Sequence, residues 1–335
     1  MKTRQLGASG LHVSEICLGT MMFGDRTDEA EAARIVDSAR EAGVNFVDTA
    51  NQYAGGRSET MLGKLIRSDR SRWIVASKCG NTGLPEPDHQ DLSRRHVISA
   101  LDASLLRLGM DHVDIYYFHI DDPRTPLEES LMAVGDLIRA GKMRYFGLSN
   151  FRGWRIAQVA LLCDKLGVPR PAVCQPYYNA MNRMPEVEVL PACAAFGLGV
   201  VPYSPLARGV LTGKYQPGAA PPEGSRAGRK DTRMMQTEFR EESMIMAQTM
   251  RAHAEKRGMT AGQFALNWVL HNRMVSSVLA GPRTLEQWTG YLGALEHSFD
   301  AGDEALVDGL VAAGHPSTPG YSDPKYPLTG RLTGV

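Results

Sequence analysis

Asp48, Lys78 and His119 each close an otherwise apolar run. Asp48 follows Phe46-Val47, Lys78 follows Ile74-Val75-Ala76-Ser77, and His119 follows Ile115-Tyr116-Tyr117-Phe118. Comparable runs end in Ser149-Asn150, in Gln175 and in Tyr203-Ser204, and Tyr53 stands shortly after Asp48. A polar group set into apolar sequence is costly to bury without a partner. Singly, each reads as a satisfied structural group; brought together at one mouth, they read as a reaction centre. The common ligand motifs are absent. Gly197-Leu198-Gly199 has Pro202 where the third glycine of a dinucleotide fingerprint belongs, and it leads into a strand. Gly209-Val210-Leu211-Thr212-Gly213-Lys214 is too short for a P-loop, and Tyr215 replaces the required Ser or Thr. No HxH or HExxH occurs, and His119-Ile120-Asp121-Asp122 is a weak metal set, so no metal is assigned.

The elements that must position these residues alternate along the chain. Short runs rich in Val, Ile, Tyr and Phe predict strands at Glu15–Leu18, Asn45–Asp48, Trp73–Lys78, Val113–His119, Met143–Ser149, Val173–Pro176, Gly199–Tyr203 and Val275–Ala280. Amphipathic helices are expected between them at Asp28–Ala42, Arg57–Ile66, Ser93–Leu108, Pro126–Ala140, Gly153–Leu166, Glu186–Phe196 and Leu285–Glu296. Strict alternation implies a parallel sheet, and eight units in one chain fit an α/β (β/α)8 TIM barrel with its site at the strand C-termini. An open doubly wound sheet is the alternative fold. Thr3–Val13, with Gly7-Ala8-Ser9-Gly10, reads as an N-terminal β-hairpin. Gln216–Glu238 reads as a long mobile surface loop after strand seven, and His315–Val335 as an irregular C-terminal tail rich in proline. The chain reads as one domain over residues 1–335.

Composition removes several function classes. Lys plus Arg total 37 and Asp plus Glu total 37, so the chain is neutral and lacks the basic surplus of a nucleic-acid or membrane-surface binder. Cys17, Cys79, Cys163, Cys174 and Cys193 are scattered without a CxxC, which predicts reduced core thiols rather than disulfides or zinc. The start Met1-Lys2-Thr3-Arg4-Gln5-Leu6 shows no signal-peptide pattern, and no apolar run is long enough to span a bilayer. A soluble, cytoplasmic protein is expected.

Several separated motifs carry a family resemblance. Gly43-Val44-Asn45-Phe46-Val47-Asp48-Thr49-Ala50-Asn51-Gln52-Tyr53, then Arg57-Ser58-Glu59-Thr60-Met61-Leu62-Gly63, is similar to the signature of the aldo-keto reductases. Asp111 through His119, Gly141 through Phe151, Gln175 and Tyr203-Ser204-Pro205-Leu206 match the same family in order, and the resemblance runs from about Arg4 to about Leu295. The Ser-Pro-Leu-Ala-Arg-Gly form at Ser204–Gly209 resembles the branch holding bacterial oxidoreductases and potassium-channel β-subunits. The resemblance implies a catalytic tetrad of Asp48, Tyr53, Lys78 and His119. Tyr53 would move the proton as general acid or base. Lys78 would favour its phenolate, by up to about three pKa units for one charge at close range. Asp48 would pair with Lys78, and His119 would orient the carbonyl through Nε2.

The resemblance also implies NADPH/NADP+ as cofactor. Ser149, Asn150 and Gln175 would hold the nicotinamide carboxamide, and Tyr203 would stack on the ring. Gly19 and Thr20 would border the cofactor, and Ser204, Leu206, Gly209 and Lys214 would meet the pyrophosphate. At the adenine end stand Gly281, Arg283, Thr284 and Gln287. Arg283 suits a 2′-phosphate and favours NADPH over NADH, while Gly290-Tyr291 replace the family's usual Glu-Asn pair. Met21, Met22 and Phe23, with neighbours of Trp73 and the loops after His119 and Arg208, would line an apolar substrate pocket; Asp121 and Asp122 would suit a polyol instead. The expected partner is a small-molecule carbonyl or alcohol, with room for a homo-oligomer. Two functions follow: reversible reduction of aldehydes or ketones, or a cofactor-binding redox-sensing regulatory subunit with little turnover. Cys79 reads as a packed thiol at a strand end.

Overall fold

The computed structural model describes residues 1–83 and 90–327. The chain opens on β1 (Thr3–Gln5) and β2 (His12–Ser14), antiparallel, with Arg4 opposite Val13. Strand–helix units follow: β3 (Ile16–Gly19) and α1 (Glu29–Glu41), β4 (Phe46–Asp48) and α2 (Arg57–Leu65), β5 (Ile74–Cys79) and α3 (Arg94–Leu108), β6 (Val113–Phe118) and α4 (Leu127–Arg139), β7 (Met143–Ser149) and α5 (Gly153–Leu166), β8 (Val173–Gln175) and α6 (Val189–Phe196). After β9 (Gly199–Val200) come α7 (Thr232–Thr237), α8 (Glu241–Lys256) and α9 (Ala261–His271), then β10 (Val278–Ala280), α10 (Leu285–Leu292) and α11 (Ala301–Leu310).

Strands β3 to β10 form one eight-stranded sheet in the order β10-β3-β4-β5-β6-β7-β8-β9. Every pairing in it is parallel. Its ends meet: Val200 bridges Val275, Ser276 N donates to Val200 O at 2.8 Å, and Leu279 N donates to Pro202 O at 3.0 Å. The fold is therefore a (β/α)8 barrel preceded by a hairpin, as the alternation predicts, and the open-sheet alternative falls.

The chain divides into two compact units. The first, Met1–Tyr177, Pro185–Tyr203 and Leu270–Leu292, holds all the strands with α1–α6 and α10. The second, Tyr178–Met184, Ser204–Val269 and the described residues from Gly293 onward, holds α7, α8, α11 and most of α9.

Within the first unit the barrel is filled by Cys17, Phe46, Ala76, Ile115, Tyr117, Val173 and Val201, joined by Leu6 and Val13 from the hairpin. The bulk of Tyr117 sets its neighbour's identity. Gly147 pairs with it, and a Cβ at Gly147 would lie 2.6 Å from the Tyr117 ring. The hairpin turn is equally tight. Gly7 has φ +57°, its Cβ would meet Gly199 N at 2.3 Å, and Ala8 N donates to Gly197 O at 2.8 Å. Two of the helices start at side-chain caps of the first unit: at α1 Asp28 accepts from Glu31 N at 2.8 Å, and at α3 Ser93 accepts from His96 N at 3.3 Å.

The expected elements appear with trimmed ends. The 275–280 strand begins at Val278, the 199–203 strand stops at Val200, and the 285–296 helix ends in a 3₁₀ turn over Gly293–Glu296. Helices α7, α8, α9 and α11 were not expected, and α7 lies inside the segment read as a loop. α8 buries Met244, Ala247, Met250 and Ala254, a stripe lacking branched aliphatics. α9 is buried nearly all round, including Phe264, Leu266, Trp268 and Val269, so it shows little polar periodicity. Residues 315–327 carry no helix or strand, and residues 328–335 of the expected tail lie outside the described residues. Among the described residues, no helix is long and apolar enough to cross a membrane.

Candidate active site

Three adjacent strand ends of the first unit, those of β4, β5 and β6, bring the tetrad together. Asp48 ends β4, wholly buried, beside β5, which carries Lys78; β5 in turn pairs with β6, beyond which lies His119. Lys78 Nζ donates to Asp48 Oδ1 and, at 2.7 Å, to the carbonyl oxygen of Thr49. Gln175 Nε2 donates to Asp48 Oδ2 at 2.9 Å. Both carboxylate oxygens are thus committed. Tyr53 opens a turn in which Ala54, Gly55 and Gly56 are all left-handed, at φ 50°, 64° and 89°. That turn leaves the Tyr53 ring half-buried, 5.1 Å from Lys78 Nζ and edge-on to His119 at 6.0 Å between ring centres. His119 is fixed through its backbone: its N–H donates to Cys79 O at 2.8 Å, and its carbonyl accepts from Asn150 Nδ2 at 2.8 Å.

Burial governs the electrostatics. It lifts the Asp48 carboxyl above its ordinary value against the pull of Lys78 and Gln175. Burial opposes the charge on Lys78, yet the charge and hydrogen bond of Asp48, together with Tyr53, hold the ammonium above its ordinary value. At Tyr53 burial again outweighs Lys78, and Asp48 adds to the rise, so the phenol titrates above its usual 10. The downward shift expected from Lys78 alone does not prevail. Burial is the larger effect, and the Asp48 carboxylate beside Lys78 offsets part of the ammonium's pull.

Ser149, Asn150 and Gln175 form one polar cluster, Ser149 being paired with Gln175 across β7 and β8. Ser149 Oγ donates to Gln175 O at 2.9 Å, Asn150 Nδ2 donates to Ser149 Oγ at 3.1 Å, and Tyr203 OH donates to Asn150 Oδ1 at 2.8 Å. Asn150 sits at φ 60°, a strained conformation of the kind found at functional sites. Tyr203 packs against Tyr177 at 5.5 Å and stays partly exposed.

Gly19 closes β3 and approaches Gly281; its Cβ would lie 3.4 Å from Gly281 Cα. Thr20 is wholly buried, and its hydroxyl is engaged by Asp48 O and Ser58. Beyond β10, Thr284 Oγ1 accepts from Gln287 N at 3.3 Å and Gln287 Oε1 accepts from Arg283 N at 2.9 Å, so both side chains cap α10. Glu31 Oε1 also accepts from Leu285 N, at 2.6 Å. Among the described residues the Arg283 guanidinium makes no ion pair, which suits it to an anionic ligand.

The second unit holds Ser204, Leu206, Gly209 and Lys214. Ser204, Ala207, Arg208 and Gly209 are all left-handed, and the turn brings Lys214 Nζ within 3.1 Å of where a Gly209 Cβ would stand. Asn179 Nδ2 donates to Ser204 O at 3.0 Å.

The pocket residues differ in exposure: Met21 is exposed, Met22 half-buried and Phe23 wholly buried. Asp121 pairs with Arg155 at 3.1 Å, and Asp122 accepts from Leu92 N, Arg124 N and Thr125 Oγ1. Both carboxylates are therefore occupied within the protein. Cys79 is buried, and burial pushes its thiol up to about 12, so it is a packed thiol. No group of three or more metal-ligating side chains occurs among the described residues. The sequence reading misses Thr49, which contributes a backbone carbonyl, and the role of Gln175 as a partner of Asp48.

A family model described as the aldo/keto reductase family matches residues 15–312. The chain belongs to the aldo/keto reductase family. It is 35% identical over 303 residues to a "Probable voltage-gated potassium channel subunit beta" of Oryza sativa subsp. japonica, covering 88% of this chain and 92% of that protein. The Arabidopsis thaliana protein of the same description is 37% identical over 286 residues, 84% of this chain and 87% of its own. The "Uncharacterized oxidoreductase YrpG" of Bacillus subtilis (strain 168) is 35% identical over 312 residues, 90% of this chain and 93% of its own. Family and relatives together support a general oxidoreductase function for this aldo/keto reductase family member.

Proposed function

We propose that this aldo/keto reductase family protein is an NADPH-dependent reductase of aldehydes or ketones, working reversibly on the alcohol. One observation carries the reading: a half-buried phenol, Tyr53, stands beside a buried ammonium whose own counter-ion is fixed at both oxygens. The residues present suit the cofactor. Ser149, Asn150 and Gln175 offer the hydroxyl and amide groups a carboxamide needs, Tyr203 offers a ring, and Arg283 offers a guanidinium with no ion pair among the described residues for the 2′-phosphate. By family resemblance Gly19, Thr20, Gly281, Thr284 and Gln287 would border the nucleotide. Ser204, Leu206, Gly209 and Lys214 would meet its pyrophosphate on the same ground.

When bound, the nicotinamide supplies a hydride to the carbonyl carbon. The chain's own work is with the proton. His119 orients the carbonyl, and Tyr53 donates its phenolic proton to the oxygen as the C–O bond becomes single. The resulting phenolate is held by Lys78, which Asp48 keeps charged. A phenol titrating above 10 is protonated at neutral pH, which suits the acid role in reduction. Met21 and Met22 favour an apolar or aromatic substrate.

The test follows the hydride. The protein is incubated with NADPH deuterated at C4 and an aromatic aldehyde, and the alcohol is examined by NMR. Deuterium on the alcohol carbon, with faster turnover on NADPH than on NADH, supports the reading. Tight nucleotide binding without transfer to any of a panel of aldehydes and ketones favours the second reading, a regulatory subunit, which rests on the names of the plant relatives.

A further inference from the structure

Lys78 has three N–H groups. One faces Asp48, one faces the Thr49 carbonyl at 2.7 Å, and the third is left for Tyr53. The Thr49 carbonyl is therefore part of what aims Lys78, and its own placement has a cause. Thr49 Oγ1 lies 3.0 Å from Ser58 Oγ, and Ser58 Oγ donates to Thr20 O at 2.7 Å. Thr20 Oγ1 lies 2.9 Å from Ser58 Oγ and 3.1 Å from Asp48 O. With the Ser58 proton on Thr20 O, Ser58 Oγ is left to accept from Thr49. Thr20, Thr49 and Ser58 are all wholly buried, as is Lys78.

These hydroxyls stitch the residues that follow β3 and β4 to the first turn of α2, beside the carbonyl that Lys78 also bonds. The backbone ladder alone does not explain a hydroxyl at each of the three positions, since the strand ends already pair through Thr20 N to Asp48 O and Thr49 N to Ala76 O, both at 2.9 Å. We infer that Ser58 is a positioning residue of the tetrad, holding the Thr49 carbonyl as the second acceptor of Lys78 and so directing the remaining Lys78 N–H at Tyr53. The inference rests on reading Tyr53 and Lys78 as the proton-transfer pair. Among the described residues, the charged or titratable groups facing Tyr53 are Lys78, Asp48 and His119.

The experiment compares wild type with Ser58→Ala, Thr49→Val and Thr49→Ser, each with and without Tyr53→Phe. Titration of phenolate absorbance, taken as the difference between each protein and its Tyr53→Phe partner, isolates Tyr53 without any need for turnover. Loosening Lys78 weakens its pull, so Ser58→Ala and Thr49→Val are expected to raise the Tyr53 midpoint by about half a pH unit or more. Thr49→Ser, which keeps the hydroxyl, is expected to titrate like wild type. In turnover, the first two variants are expected to lose about tenfold in kcat with cofactor Kd unchanged. The Ser58→Ala, Thr49→Val double variant should lose no more than the worse single, because both act through one carbonyl. Loss of thermal stability with an unmoved Tyr53 midpoint would make the hydroxyls merely structural and overturn the inference. The same holds if Thr49→Ser behaves like Thr49→Val. Failure of the reductase reading shows separately, as absent turnover in the wild type.

Discussion

In the proposed mechanism Tyr53 sets the pH behaviour of this site, and the sign follows from its surroundings. Burial holds its phenol above the ordinary 10 despite Lys78. Reduction consumes the phenolic proton, so its rate should stay level across neutral pH and fall only as pH rises through the Tyr53 midpoint. Oxidation requires the phenolate, so its rate should climb over that same alkaline window. Profiles of kcat in both directions check this, and a reduction limb centred near neutral pH would assign the proton to a group such as His119. Arg283 gives a second prediction: Arg283→Ala should raise the KM for NADPH about tenfold or more and leave that for NADH unchanged, since a charged hydrogen bond is lost only with the 2′-phosphate. Asp48, Lys78 and His119 were legible because each interrupts an apolar run. Thr49 was not, because a carbonyl acceptor carries no side-chain signature, and the Gln175 bond to Asp48 joins residues far apart in sequence.

At the scale of elements, the barrel positions the site by stacking strand ends, and a few glycines let it close. Gly7 is one: φ +57° and a Cβ that would meet Gly199 N at 2.3 Å leave no room for a side chain. Gly7→Ala should cost about 1–3 kcal/mol through strain and backbone displacement, read as a lowered denaturant midpoint. An unchanged midpoint would mean that the hairpin is not packed against β9 as described. The strands were legible as short runs rich in Val, Ile, Tyr and Phe, and α1, α3 and α4 as stripes of Ala, Ile, Val and Leu at helical spacing, with caps at Asp28 and Ser93 for the first two. α8 and α9 were not, because one buries only Met, Ala and Ser and the other is apolar on nearly every face. α11 was missed although Asp300 and Asp303 build a reciprocal capping box, since neither is the usual Ser/Thr–Glu pair.

At the scale of the whole molecule, charge and thiols bound what the protein does. Equal numbers of acidic and basic residues leave the chain without the net basic surplus of a typical polyanion binder. All five cysteines are free and buried. A thiol reagent should therefore label none rapidly in the native protein and all five after denaturation, and rapid native labelling of Cys79 would contradict the packed-thiol assignment. The central claim is that Tyr53 moves the proton in carbonyl reduction. Its most direct test is NADPH oxidation with an aromatic aldehyde by wild type and Tyr53→Phe, side by side at saturating cofactor. The account predicts that the variant binds NADPH as wild type does and loses about 10²–10⁴-fold in kcat. A Tyr53→Phe protein as active as wild type would contradict it.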